Sequence, residues 1–167
     1  YNKTSKKRIS AIVPVHVWGN AVWLDELVPF CEERNIVVVE DASESLGTFY
    51  SSGSYSGRHT GTIGTLGCLS FNGNKIITTG GGGALITDDK EVARRAKHLT
   101  TTAKQTHPWL FLHDEIGYNY RLPNINAALG CAQMEQLSTH VNKKRKLAHQ
   151  YKEWFSKKDI EFVSEPS

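Results

Sequence analysis

Apolar positions along the chain follow several rhythms, each implying a different element. β-Branched residues crowd "RISAIVPVHVW" (Arg8–Trp18), the pattern of a strand, which Gly19 and Asn20 punctuate. In "VWLDELVPFCEERN" (Val22–Asn35), Leu24, Leu27, Val28 and Cys31 recur at helical spacing until Asn35 stops them. "IVVVE" (Ile36–Glu40) is continuously apolar, as a strand buried on both faces of a parallel sheet must be. "CLSF" (Cys68–Phe71) and "GALITD" (Gly83–Asp88) predict two more strands, separated by a segment holding Lys75 and four consecutive glycines. "DKEVARRAKHLT" (Asp89–Thr100) predicts a helix capped by Asp88 or Asp89. "TAKQTHPWLFLHDEIGYNYRLP" (Thr102–Pro123) has no period and predicts an ordered loop of the kind that carries function. From Asn124 the pattern is helical to about Trp154, and one long helix over 124–157 is expected.

Strand, helix, buried strand, strands and helix in that order predict an α/β architecture with a mainly parallel sheet flanked by helices. At 167 residues, with 39% hydrophobic and 22% charged positions, the chain has the makings of one folded domain with its own core. The net charge of +3 is spread along the chain apart from "KKR" (Lys6–Arg8) and "KKRK" (Lys143–Lys146), which argues against a nucleic-acid partner. No apolar run approaches the roughly 20 residues that span a bilayer. No signal-peptide pattern opens the chain, and Cys31, Cys68 and Cys131 are isolated, so a reduced, cytoplasmic setting without a metal is expected. The first strand has nothing before it to cover its near face, and "EFVSEPS" (Glu161–Ser167) stops where another strand could start. The chain reads as a piece of a larger protein.

Ligands of open α/β sheets bind beyond the carboxyl ends of strands. Asp41 follows "IVVVE" directly; alone, a turn or capping role explains it about as well as a site does. Ser70 and Lys75 follow the next strand, and a solitary lysine is usually a solvated surface group. The combination says more. A carboxylate, a hydroxyl and an amine at neighbouring strand ends are the parts that hold pyridoxal phosphate: an amine for its aldehyde, an acid for its ring nitrogen, and hydroxyl and N–H groups for its phosphate. On this reading Gly80–Gly83 let backbone pack close to the cofactor, where a Cβ would collide.

With those residues in view, "VPVHVWGN", "VVVEDASESLGT", "GTIGTLGCLSFNGNKIITTGGGGALITDD" and "HDEIGYNYRLPNINAALGCAQME" together resemble the DegT/StrS family of nucleotide-sugar aminotransferases, fold-type I pyridoxal-phosphate enzymes. The resemblance runs from Arg8 to about Trp154, in the family's order and spacing. Its wording is closest to the branch that aminates UDP-linked 4-keto-6-deoxy sugars of the bacillosamine and legionaminic type. It implies part of a three-layer αβα large domain. It implies that Lys75 is the Schiff-base lysine and proton shuttle, that Asp41 faces the pyridinium nitrogen, and that Ser70 binds the phosphate. Glu44 stands where many members carry glutamine beside the phenolic oxygen, and Asn119 lies in the segment that crosses to a neighbouring subunit's cofactor phosphate. His16 and Arg121 fall near the substrate, though a satisfied core histidine is the better reading of His16 and a structural ion pair explains Arg121 about as well. A lysine at position 75, where some dehydrating relatives have histidine, favours amination. A homodimer using an amino-acid donor, glutamate by expectation, and a nucleotide-sugar acceptor is implied. Family members run to more than twice this length, with an N-terminal phosphate loop and a smaller C-terminal domain. The 167 residues alone are therefore expected to bind the cofactor weakly and to show little activity.

Two other readings differ in class. One is a non-catalytic aminotransferase core kept for ligand binding or oligomerisation. The other is a dinucleotide-binding domain, but no GxGxxG follows the first strand.

Overall fold

A computed structural model describes residues 1–158, 160, 161 and 163. Four strands, β1 (Ala11–Ile12), β2 (Val37–Asp41), β3 (Leu66–Ser70) and β4 (Gly83–Ile86), form one sheet in the order β1-β2-β3-β4. β1, β2 and β3 run parallel, and β4 returns antiparallel to β3. The helices are α1 (Leu27–Glu32), α2 (Lys90–Thr100), α3 (Asn124–Met134) and α4 (Leu137–Phe155). The mainly parallel α/β arrangement flanked by helices is thus present.

Local chemistry sets the element limits. The strand expected over Arg8–Trp18 shrinks to β1 plus one parallel bridge between Val15 and Asp41. Pro14 lacks the N–H a longer ladder would use, and the chain then enters a 3-10 turn at Val17–Gly19 with Trp18 at φ 55°. α1 is shorter than the spacing predicted; Asn35, at φ 51°, ends its last turn in the left-handed region that asparagine tolerates. Asp89 caps α2, accepting the N–H groups of Glu91 (2.7 Å) and Val92 (3.1 Å).

The single helix expected over 124–157 is two. The chain turns at Glu135–Gln136, where Gln136 adopts φ −106°, ψ 4°. Two separate docking points impose this break. Gly130 of α3 lies against Thr79, and Val141 of α4 lies against Gly47; a Cβ on either glycine would come within 2.9 Å of its neighbour. The strand start anticipated at 161–167 lies largely outside the described residues.

The core gathers on one face of the sheet, where Leu24, Val28 and Cys31 of the α1 segment pack with Val38 and Tyr50. Tyr50 sends its hydroxyl to the carbonyl of Val22 at 3.1 Å. The opposite face, carrying Leu66, Cys68 and Leu85, looks across a cavity of about 1650 Å³ toward α2 and Tyr118–Pro123. The side chains of β2 alternate between these faces. Val38 and Glu40 therefore turn inward, while Val39 and Asp41 turn the other way. No helix among the described residues is long and apolar enough to cross a membrane.

Candidate active site

Asp41 ends β2 and sits in register with Cys68 of the parallel β3, so Asp41 and Ser70 occupy the same carboxyl edge of the sheet. The chain leaves β3 through a turn in which the Lys75 N–H donates to the carbonyl of Asn72 at 3.1 Å, and this folds the lysine back toward the edge. Its side chain is mostly buried, and Nζ lies 3.7 Å from Glu44 Oε1. The other oxygen of Glu44 accepts the backbone N–H of Trp18 at 2.8 Å. Asp41 Oδ1 accepts the N–H of Ser43 at 3.0 Å. Hydrogen bonding from Ser43, helped by the nearby charge of Lys75 and opposed by partial burial, holds the Asp41 carboxyl below its ordinary range. An ionised acid within the field of a sheltered amine is the arrangement a protonated pyridine ring nitrogen and an aldehyde require. Ser70, half-buried at the end of β3, receives among the described residues a long 3.4 Å bond from the Asn72 N–H, so its hydroxyl retains capacity for an anion.

His16 is the satisfied core histidine that its sequence context favoured over a substrate contact. It is fully buried, and both ring nitrogens are engaged: Nε2 lies 2.9 Å from Glu40 Oε2, and Nδ1 accepts the N–H of Val22 at 3.0 Å. Glu40, equally buried, also accepts from Gly61 (2.7 Å), Ile63 (2.6 Å) and Gly64 (2.6 Å). Burial alone pushes the Glu40 carboxyl up, but His16 and these three N–H groups outweigh it and hold the carboxyl below its ordinary range. Sequence reading missed this residue. The signal was present as an acid closing an apolar strand, but Asp41 beside it drew the chemical argument.

Of the four glycines Gly80–Gly83, which all border the cavity beside the sheet, Gly82 and Gly83 are close-packed against protein. Gly82, at φ 107°, would drive a Cβ to 2.7 Å from Leu122 Cδ1, and Gly83 opposes the Leu69 carbonyl across the β-hairpin. Gly80 borders Asn126, while Gly81 meets nothing. Asn126 of α3 donates to the carbonyl of Thr79 at 2.5 Å, tying the glycine segment to that helix.

Asn119 and Arg121 form a pair of their own beside α2. Arg121 donates to Asn119 Oδ1 (3.0 Å) and to the carbonyl of Thr101 (3.1 Å), and both residues are exposed. Taking up Oδ1 turns the Asn119 amide so that its NH₂ points away from Arg121, free to donate to an acceptor. The loop carrying them is fastened to α2 by charge. Arg95 forms a two-pronged pair with Glu115, and His98 Nε2 lies 2.7 Å from Asp114 Oδ1.

A model of the DegT/DnrJ/EryC1/StrS aminotransferase family matches residues 2–166. The chain is 39% identical over 145 residues to GDP-perosamine synthase of Escherichia coli O157:H7, covering 87% of this chain and 38% of that protein. It is 33% identical over 150 residues to UDP-4-amino-4,6-dideoxy-N-acetyl-beta-L-altrosamine transaminase of Campylobacter jejuni, covering 89% and 39%. Among solved structures, Helicobacter pylori PseC, an aminotransferase involved in the biosynthesis of pseudoaminic acid, superposes with a TM-score of 0.81 at 27% identity, over 92% of this chain and 40% of its own. The chain thus spans about two fifths of the length of each.

Proposed function

The chain belongs to the DegT/DnrJ/EryC1/StrS aminotransferase family, and on that premise we propose that it carries the pyridoxal-phosphate-binding core of a sugar aminotransferase. The reaction is transfer of an amino group from an amino acid, glutamate by expectation, to a keto carbon of a nucleotide-linked sugar. The observation that carries this reading is the grouping of Lys75 with Asp41 and Glu44 at the carboxyl edge of β2 and β3. Bound there, pyridoxal phosphate would supply an aldehyde and an electron-withdrawing ring.

In this reading Lys75 would hold the cofactor by its aldehyde carbon and would carry the proton moved at the donor carbon. Glu44, 3.7 Å from Nζ, would orient that amine. Asp41, kept ionised, would face the ring nitrogen. Ser70 would donate to the phosphate. Asn119, oriented by Arg121, serves the phosphate of a neighbouring copy, which makes the working unit a homodimer. A cytoplasmic site of action fits substrates activated as nucleotide sugars. The two relatives carry the names of GDP- and UDP-linked sugar products; the wording of "EDASESLG" supports the UDP-linked branch.

The test is covalent capture. The chain is mixed with millimolar pyridoxal phosphate, reduced with borohydride, and the labelled peptide identified by mass spectrometry. Label should concentrate on Lys75, weaken in Asp41→Ala and vanish from that peptide in Lys75→Ala. Label spread over surface lysines and unchanged by Asp41→Ala would overturn the assignment.

A further inference from the structure

Two adjacent carboxylates, Glu40 and Asp41, end β2, and only one can face Lys75. A one-residue slip of a strand exchanges its faces, so something must specify which acid goes where. We propose that Glu40 and His16 form a buried clamp that sets the register of this strand end, making them positioning residues for Asp41. The proposal rests on the reading of Asp41 as the acid that meets the cofactor ring.

The geometry is unusually complete for a buried carboxylate. Glu40 Oε1 accepts from Ile63 and Gly64, and Oε2 accepts from Gly61 and His16. Because the Val22 N–H donates to Nδ1, the ring proton of neutral His16 resides on Nε2 and is given to Glu40. An isolated buried carboxylate is strongly disfavoured, and four donors remove that cost at this position only. Asp41 in the same place would leave its shorter side chain out of reach of donors that Glu40 satisfies.

The clamp also grips Asp41 directly through backbone. The His16 N–H donates to the Asp41 carbonyl at 3.0 Å, and the Asp41 N–H donates to the Pro14 carbonyl at 2.9 Å. His16 thus holds Glu40 with its ring and Asp41 with its main chain. Apolar residues of similar volume would fill this space at no loss of stability, but they would not distinguish the two registers.

Glu40→Gln is the informative substitution. Its amide places an NH₂ against donors already pointing inward, whichever way it is turned. Two readouts separate positioning from general loss of stability, with Leu24→Ala, a fully buried core truncation, as the control. The first is the amide NMR spectrum of the chain without cofactor: Glu40→Gln should shift the Asp41 and Ser43 signals, while Leu24→Ala leaves them in place. The second is borohydride capture on Lys75 at equal folded fraction. It should fall about tenfold or more in Glu40→Gln and stay within about twofold in Leu24→Ala, since small misplacements at a site cost large factors. If Glu40→Gln does not fold, His16 variants give the same answer. His16→Gln, which still donates to Glu40, should retain more capture than His16→Asn, which does not. Unchanged Asp41 and Ser43 signals, or capture reduced equally by Glu40→Gln and Leu24→Ala, would overturn the proposal. If the unsubstituted chain captures nothing on Lys75, the cofactor reading fails, and the NMR comparison alone decides whether the clamp sets the strand end.

Discussion

Adding one methyl group at Gly67 tests whether the loop over 60–64 is pressed against β3 as tightly as the Glu40 arrangement requires. Gly67 is paired with Glu40 on one side and Ile86 on the other, and it is buried. A Cβ there would lie 2.8 Å from the carbonyl carbon of Gly61 and 2.9 Å from its Cα, and closer still to its oxygen. All three are backbone atoms, so no side-chain rotation relieves the contact. The Gly61 N–H is one of the four donors to Glu40, so moving that backbone breaks a charge-assisted bond of 2.7 Å. Overpacking of a tight interior costs about 1–3 kcal/mol. Loss of a hydrogen bond to a charged group adds about 1.5–3 kcal/mol. Gly67→Ala should therefore destabilise by at least about 2.5 kcal/mol, a large share of a typical domain's stability. With a urea slope of about 1–3 kcal/mol per molar, the midpoint should fall by roughly 1–3 M. Gly73→Ala is the matched control, since a Cβ at Gly73 meets nothing. Urea unfolding followed by far-ultraviolet circular dichroism measures both. A Gly67→Ala midpoint within experimental error of the Gly73→Ala midpoint would refute the packing argument.

Three further outcomes follow from the same structure. The Glu40 carboxyl is held below its ordinary value of 4.5, so the stability it contributes is fully present above that pH and is lost as pH falls through the lower folded value. Thermal unfolding between about pH 3 and 6 should accordingly show a steeper acid loss in the native chain than in Glu40→Gln, and parallel curves would count against it. Gly82→Ala, strained in φ and crowded by Leu122, should cost about 1–3 kcal/mol, whereas Gly81→Ala should stay within about 0.5 kcal/mol; equal denaturation midpoints would contradict this. Removing the Arg95–Glu115 pair by Arg95→Ala should speed hydrogen exchange at Ala103 and Tyr118, whose N–H groups donate to His98 and Leu99. Because those charges are exposed, the difference from the native chain should shrink in about 1 M salt; a difference that persists would mean the loop is held by packing instead.

Local order was written in residues close together. The apolar run at Ile36–Val39 specifies a buried strand, Asp89 ahead of an amphipathic segment specifies where α2 begins, and the order of motifs around Lys75 carries the family. These need only the 2.0 and 3.6 periods and short-range hydrogen bonds. What the tertiary structure decided involves residues far apart in sequence. His16 and Glu40, 24 positions apart, chose which of two neighbouring acids turns inward and withdrew the histidine from the substrate. Thr79 and Gly47 drew two helices onto different axes where one continuous period runs. Gly82 and Gly83 answer to Leu122 and Leu69, which meet them only in the folded chain. Periodicity specifies which side of an element is apolar, whereas the donors and backbone that meet that side are brought there only when the chain closes on itself.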